Sequence, residues 1–128
     1  MAGFIPLEDL SAQVELWTPS SFLENVATIR DMEEMDPVFD YEVFQGREVG
    51  SKLPTAIALD EGAWDYAPIV MPVRGGVRDS LGELKRRPYF LVEGHQRRRY
   101  LNALISQGRE LSHQRVLVLK SPTIANFS

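Results

Sequence analysis

The spacing of apolar side chains changes along this chain, and each change marks an element. Phe22, Val26 and Ile29 recur at i, i+4 and i+7, one face of a helix. Thr18-Pro19-Ser20-Ser21 offers caps and a proline suited to a first turn, and Ser21 to Glu24 matches a capping box. Asp36-Pro37 is expected to stop that helix, because the residue before a proline disfavours the α region. From Phe39 to Val43 apolar and polar residues alternate, so residues 38–44 read as a half-buried strand or an extended loop, broken by Gly46 and Gly50. Leu53 to Leu59 is a weaker extended candidate. Phe4 to Leu7 and Ile69 to Val73 read as short strands whose prolines point to an edge or a bulge. Gly75-Gly76 turns the chain, and Asp79 to Arg87 reads as a short polar helix.

The C-terminal third has the clearest pattern. Tyr89-Phe90-Leu91-Val92 and Val116-Leu117-Val118-Leu119 are near-continuous apolar runs, as expected of strands buried on both faces. Between them Glu93 to Gln96 forms a turn and Arg97 to about Gln107 a helix. Leu101, Leu104 and Ile105 form its stripe, and Gly108 lies near its C-cap. Strand, turn, helix, strand is a β-α-β unit, right-handed if its strands are parallel. Residues 121–128 read as a polar, frayed tail. The expected fold is α/β (or α+β), with a small mixed sheet and flanking helices.

At 128 residues and 44% hydrophobic the chain suits one domain, residues 1–128, with its own core. It shows no internal repeat. With no cysteine there is no disulfide, thiol nucleophile or thiolate-bound zinc, and the composition fits a cytoplasmic protein. No apolar run reaches the roughly 18 residues of a membrane span, and the N-terminus lacks a basic region, so neither membrane nor signal peptide is expected. The net charge of −4 is divided unevenly. Residues 1–66 carry 14 acids against Arg30, Arg47 and Lys52, whereas residues 67–128 carry 11 cations against four acids. The simplest account is that the two halves neutralise each other in one fold. A basic half also suits an anionic ligand.

The candidate site is the turn after the first apolar run. A strand, a glycine turn and a helix bring backbone N–H groups and a positive helix end to one point, where anions bind. Gly94 lets the backbone approach a phosphate, His95 and Arg97 add donors, and Arg97 can hold two oxygens with its planar fork. Glu93 would supply an acceptor, a metal-binding carboxylate or a base. The bland alternative is a glycine that only permits the turn, with Arg98 and Arg99 solvated.

Tyr89-Phe-Leu-Val-Glu-Gly-His-Gln-Arg97 resembles the strand-to-helix signature of the ParB/sulfiredoxin-like superfamily. Ile5-Pro6-Leu7-Glu8-Asp9-Leu10 is similar to that family's opening strand, and Pro68-Ile69-Val70 to a later one. The specific part is residues 89–120, and residues 31–66 and 74–88 have no counterpart. The resemblance implies a nucleotide-binding fold, with Gly94, His95 and Arg97 on phosphate and Glu93 in the acid position. Sulfiredoxin activity is excluded by the absence of cysteine. A partition clamp would carry a helix-turn-helix after this domain, and the chain length leaves a stand-alone ParB-like domain as the expectation.

The leading function is therefore binding of a nucleotide or other phosphate ligand, with Mg²⁺ brought by the nucleotide. Hydrolysis or phosphoryl transfer stays open, since no full catalytic set is visible. With two histidines and no cysteine, no dedicated transition-metal site is expected. A second reading is a protein-interaction module, immunity- or antitoxin-like, using the acidic half on a basic partner. A third is a nucleic-acid binder using Lys85-Arg86-Arg87 with Arg97, Arg98 and Arg99, against which the pI of 5.2 counts. Arg74-Gly75-Gly76-Val77-Arg78 is a weaker phosphate candidate, equally explained as a turn. Trp17 and Trp64 read as core or interface anchors, and His113 as a loop residue.

Overall fold

A computed structural model describes residues 11–28, 36–78, 82 and 84–120. The expected strand at Phe4–Leu7 and the tail at 121–128 lie outside them. Five strands form one mixed sheet: β1 (Ser11–Trp17), β2 (Val26–Ala27), β3 (Ile69–Pro72), β6 (Tyr89–Glu93) and β7 (Gln114–Lys120). Their order is β1-β7-β3-β6-β2. A second, two-stranded ladder pairs β4 (Val77–Arg78) with β5 (Leu84–Lys85). The helices are α1 (Pro19–Asn25), α2 (Pro37–Phe44), α3 (Pro54–Asp60) and α4 (His95–Ser106). This is the small α/β architecture that the sequence pattern predicts.

Three of the four helices begin with proline after an extended residue, where the missing N–H costs nothing. Thr18 caps α1, its hydroxyl accepting from Ser21 N at 3.1 Å. The helix ends sooner than its periodicity implies. Val26 turns extended and pairs parallel with Tyr89 of β6, because the sheet offers this β-branched residue a ladder. Asp36-Pro37 begins a helix. The Asp36 carboxylate accepts from Val38 N at 2.9 Å and Phe39 N at 3.4 Å, and Asp40 and Phe44 turn inward at i, i+4. The expected strand at 38–44 is thus α2: five alternating residues do not separate the two periods, and the cap does. Asp36 therefore sits at a helix N-terminus, where its negative charge is favourable. Leu53 to Leu59, expected extended, is mostly α3, with Thr55, Ala56 and Leu59 buried on one side.

The two apolar runs are strands of one sheet, but β3 lies between them, parallel to β7 and antiparallel to β6. β6 and β7 therefore run in opposite directions, and the expected β-α-β unit is split by an inserted strand. β3 is central, not an edge. Pro72 is tolerated as its last residue, and the ladder irregularity falls between Ile69 and Val70. The expected polar helix over 79–87 gives way to β5 at Leu84–Lys85, while residues 79–81 and 83 lie outside the described residues.

The core lies between α4 and one face of the sheet. Leu101 and Leu104 of α4 join Val70, Leu91, Val116 and Val118 in one buried cluster with Phe22, Phe44, Leu59 and Trp64. Neither apolar run is buried on both faces. On β7, Gln114, Val116 and Val118 are buried while Leu117 and Leu119 are partly exposed, and Val92 of β6 is 43% exposed. Trp64 is a core residue and Trp17 packs against the cluster through Phe22 and Tyr89, as expected. Among the described residues no helix is long and apolar enough to cross a membrane.

Candidate functional site

Glu93 ends β6 and α4 starts at His95, so the turn is Gly94 alone. Gly94 has φ 113°, which side-chain-bearing residues rarely adopt, and it is buried. A Cβ there would stand 2.6 Å from Pro68 Cβ and 3.0 Å from Pro68 Cα. The residue before β3 thus presses on the turn before α4, and only glycine fits between them. The Gly94 carbonyl accepts the first helical bond from Arg98 N at 2.9 Å. No side chain caps α4, so its first-turn N–H groups present partial positive charge at the end of β6.

Arg97 flanks this point. Its Nη1 lies 3.9 Å from where a Gly94 Cβ would be. Its Nε donates to Asp65 Oδ1 across 3.4 Å, and its guanidinium carbon stands 5.5 Å from the centre of the Tyr66 ring. Tyr66 is 69% exposed, and its N–H donates to Asp65 Oδ1 at 3.0 Å. The long bond engages only Nε, which leaves both terminal nitrogens of the fork uncommitted. Glu93 is exposed and in no ion pair among the described residues, and His95 is half-buried and engaged within the protein. The structure therefore brings Glu93, Gly94, His95 and Arg97 to one turn, and adds Asp65, Tyr66 and Pro68 from the segment entering β3. Nothing in the sequence ties residues 65–68 to residues 93–97. Their approach depends on β3 and β6 pairing, with Ile69 opposite Glu93.

The neighbouring arginines are not solvated. Arg98 is buried and engaged within the protein. Arg99 donates to Asp40 Oδ1 at 2.5 Å and lies over the Phe44 ring, 5.5 Å from its centre. The patch expected from joining Lys85-Arg86-Arg87 to Arg97, Arg98 and Arg99 is divided: Arg87 donates to the Leu23 and Val26 carbonyls, at the far end of β6. Among the described residues the two charge-biased halves meet in four ion pairs. Arg97 meets Asp65, Arg99 meets Asp40, Arg109 meets Asp60 and Lys120 meets Glu15.

Two perturbed titratable groups lie away from the turn, at Asp60 and Tyr100. Burial tends to raise the Asp60 carboxyl, but hydrogen bonds from Lys52, Tyr100 and Gln45 outweigh it and hold the group below the usual range. Burial and then the Asp60 hydrogen bond push the Tyr100 phenol up. All these partners lie within the fold, so the cluster ties helices together. Among the described residues no group of three His, Asp or Glu could hold a metal ion. No family model, curated protein or solved structure matches this chain.

Proposed function

We propose that the protein binds a phosphate-bearing ligand, a nucleotide foremost, at the turn from Glu93 to Arg97, and that its core is ParB/sulfiredoxin-like. One observation carries the reading. An uncapped helix N-terminus follows a left-handed glycine wedged against Pro68, and the uncommitted end of the Arg97 fork lies beside it. Phosphate oxygens accept from first-turn N–H groups and from a guanidinium fork, and a helix end of this kind supplies both donors. The order β6, Gly94, α4, β7 supports the resemblance. Arg97 is held by Asp65 at Nε, so an incoming phosphate takes the outer nitrogens without breaking that pair. Glu93, exposed beside them, is the residue for a ligand hydroxyl or a nucleotide-borne Mg²⁺. Whether the ligand turns over rests on Glu93.

Calorimetry with nucleoside di- and triphosphates and Mg²⁺ tests the proposal. Arg97→Ala is expected to weaken binding by about 1.5–3 kcal/mol, roughly 10- to 150-fold. Glu93→Gln separates the roles: binding retained with turnover lost makes it an acid position. If wild-type protein binds none of the panel, or Arg97→Ala binds equally well, the assignment is wrong.

A second reading, the protein-interaction module, is favoured by a different observation. Val14 and Leu16, 59% and 65% exposed, share a face of edge strand β1. Four carboxylates of the acidic half, Glu15, Asp40, Asp60 and Asp65, are already met by cations within the fold, so an interaction module would draw on this apolar face as well.

A further inference from the structure

The four helices gather on one side of the sheet. α1, α2 and α3 pack on α4, which covers the face bearing Val70, Leu91, Val116 and Val118. The opposite face carries no helix among the described residues, yet it is apolar. Ala12, Leu119, Met71 and Phe90 form one row across β1, β7, β3 and β6. Val14, Leu117, Ile69 and Val92 form the next, Val92 being the extra residue of the ladder irregularity. Leu16 and Arg115 begin a third.

The phase of β1 runs against that of a strand with one buried face. Its polar Gln13 and Glu15 lie on the helix side, where Gln13 accepts from Lys120 Nζ at 3.1 Å and Glu15 from Trp17 Nε1 at 3.0 Å. Its apolar Ala12, Val14 and Leu16 lie on the open side and are exposed. Side chains alternate strictly along a strand, so this register sets apolar groups where no helix stands. Four strands about 4.8 Å apart and three rows about 6.7 Å apart make a face roughly 19 Å by 20 Å, about 400 Å². A monomer seldom leaves a contiguous apolar patch of more than a few hundred Å² open. A standard interface takes about 800 Å² from each partner, a little over half of it apolar, so this face has the size of one apolar centre.

We infer that the open face is the interface between two copies of this chain, stacked sheet on sheet about a two-fold axis that runs along the strands between β7 and β3. Such a rotation exchanges β1 with β6 and β7 with β3. It lays small Ala12 on the partner's Phe90, Leu119 on the partner's Met71, Val14 on the partner's Val92 and Leu117 on the partner's Ile69. One row grades from small to large and is filled by its own reverse; the other is even in size. The rotation also turns Arg115, the one cation among the described residues of the face, toward the partner's Glu93. Arg115 and Glu93 are both exposed and in no ion pair among the described residues. This match of size and charge favours a second copy over an unrelated protein. Sheets stacked this way stand about 10 Å apart with their strands within about 30° of each other. The dimer gives the apolar face of the interaction-module reading a definite occupant and does not rest on the glycine turn.

Sedimentation velocity from about 1 to 500 µM, the weak end for such interfaces, tests this. The 14.5 kDa chain is expected to approach twice that mass as concentration rises. Val14→Glu and Val92→Lys, both at positions exposed in the single chain, are each expected to weaken dimerisation at least about 100-fold, because each buries an unpaired charge. Combined in one chain they are expected to recover at least about 10-fold, since the new acid meets the new ammonium across the interface. Within one copy the two positions lie three strands apart, about 14 Å, too far to pair. Ile57→Glu, at an exposed position of α3 on the helix side, and Arg97→Ala are expected to leave the dimer unchanged. A wild type that stays monomeric throughout the range overturns the inference, and slow maleimide labelling of Val14→Cys in that monomer assigns the cover to residues 1–10 or 121–128 of the chain itself. A dimer weakened by Val14→Glu but indifferent to Val92→Lys joins the free edges of β1 and overturns the stacking, as does a double variant no stronger than the single ones. A dimer kept in a protein that binds no nucleotide supports the stacking, so this inference and the glycine-turn proposal fail separately.

Discussion

Asp60→Asn removes one negative charge from the point where three helices meet. Asp60 ends α3, Tyr100 lies on α4 and Gln45 closes α2. One carboxylate oxygen accepts from Tyr100 Oη at 2.6 Å and Arg109 Nη1 at 3.3 Å, the other from Gln45 Nε2 at 2.8 Å and from Lys52. An Asn in this place keeps one acceptor and turns an NH₂ group toward a donor. Lys52 and Arg109 are 36% and 38% exposed and can return to water, so their share is discounted. The buried Tyr100 hydroxyl and the Gln45 amide cannot. One of them then faces the NH₂ group and loses a hydrogen bond to a charged acceptor, worth about 1.5–3 kcal/mol, and the other keeps only a weaker bond to a neutral oxygen, so a net loss of about 2–4 kcal/mol is expected. Urea unfolding at pH 7 measures it, with Tyr100→Phe as a milder companion. The sign with pH follows from the lowered carboxyl. Its stabilisation is complete above the unfolded value of about 3.9 and is lost as pH falls through the folded value, so the gap between wild type and variant closes in acid. A variant within about 0.5 kcal/mol of wild type, or a gap that widens as pH falls, refutes this account of the cluster.

Gly94→Ala combines the left-handed backbone cost of about 1–2 kcal/mol with overpacking against Pro68 of about 1–3 kcal/mol. Gly62→Ala, at φ 119° with nothing within 4 Å, incurs only the first, and equal losses of thermal stability in the two variants would deny the close approach. Arg99→Met leaves the Asp40 carboxylate, 1% exposed, without its cation and is expected to cost about 3–5 kcal/mol in denaturant titration, while adding Asp40→Leu recovers most of it. The same reasoning rules out Arg99→Ala as a neutral comparison for Arg97→Ala. Asp36→Ala removes the cap of α2 and is expected to cost about 0.5–2 kcal/mol, with hydrogen exchange rising first at the start of α2.

By itself the sequence determined what local chemistry controls. The turn at Gly94, the helix after it with Leu101 and Leu104 inward, the strand runs at 89–93 and 114–120, and the cap at Thr18 all follow from side chains within a few positions of each other, whereas Asp36-Pro37, read as a helix stop, proved to be a helix start. Where the local signal was short, it could be read two ways. Residues 38–44 and 53–59 are too few to separate a period of 2 from one of 3.6; the Asp36 cap starts α2, and its inward Asp40 meets Arg99, 59 positions away. Val26 leaves its helix because β6 lies alongside it. Tertiary structure alone decided the sheet order, since nothing near residues 69–72 says that they insert between two strands joined by α4. It also decided the surroundings of the candidate site. Asp65, Tyr66 and Pro68 reach Gly94 and Arg97 only because β3 pairs antiparallel with β6, a contact between segments some twenty-five positions apart that no periodicity encodes. Which arginines remain available was fixed the same way. A cation in a sequence has no partner until folding brings a carboxylate to it, and here folding supplies carboxylates to Arg97 and Arg99 and none to Arg74, Arg78 or Arg86 among the described residues.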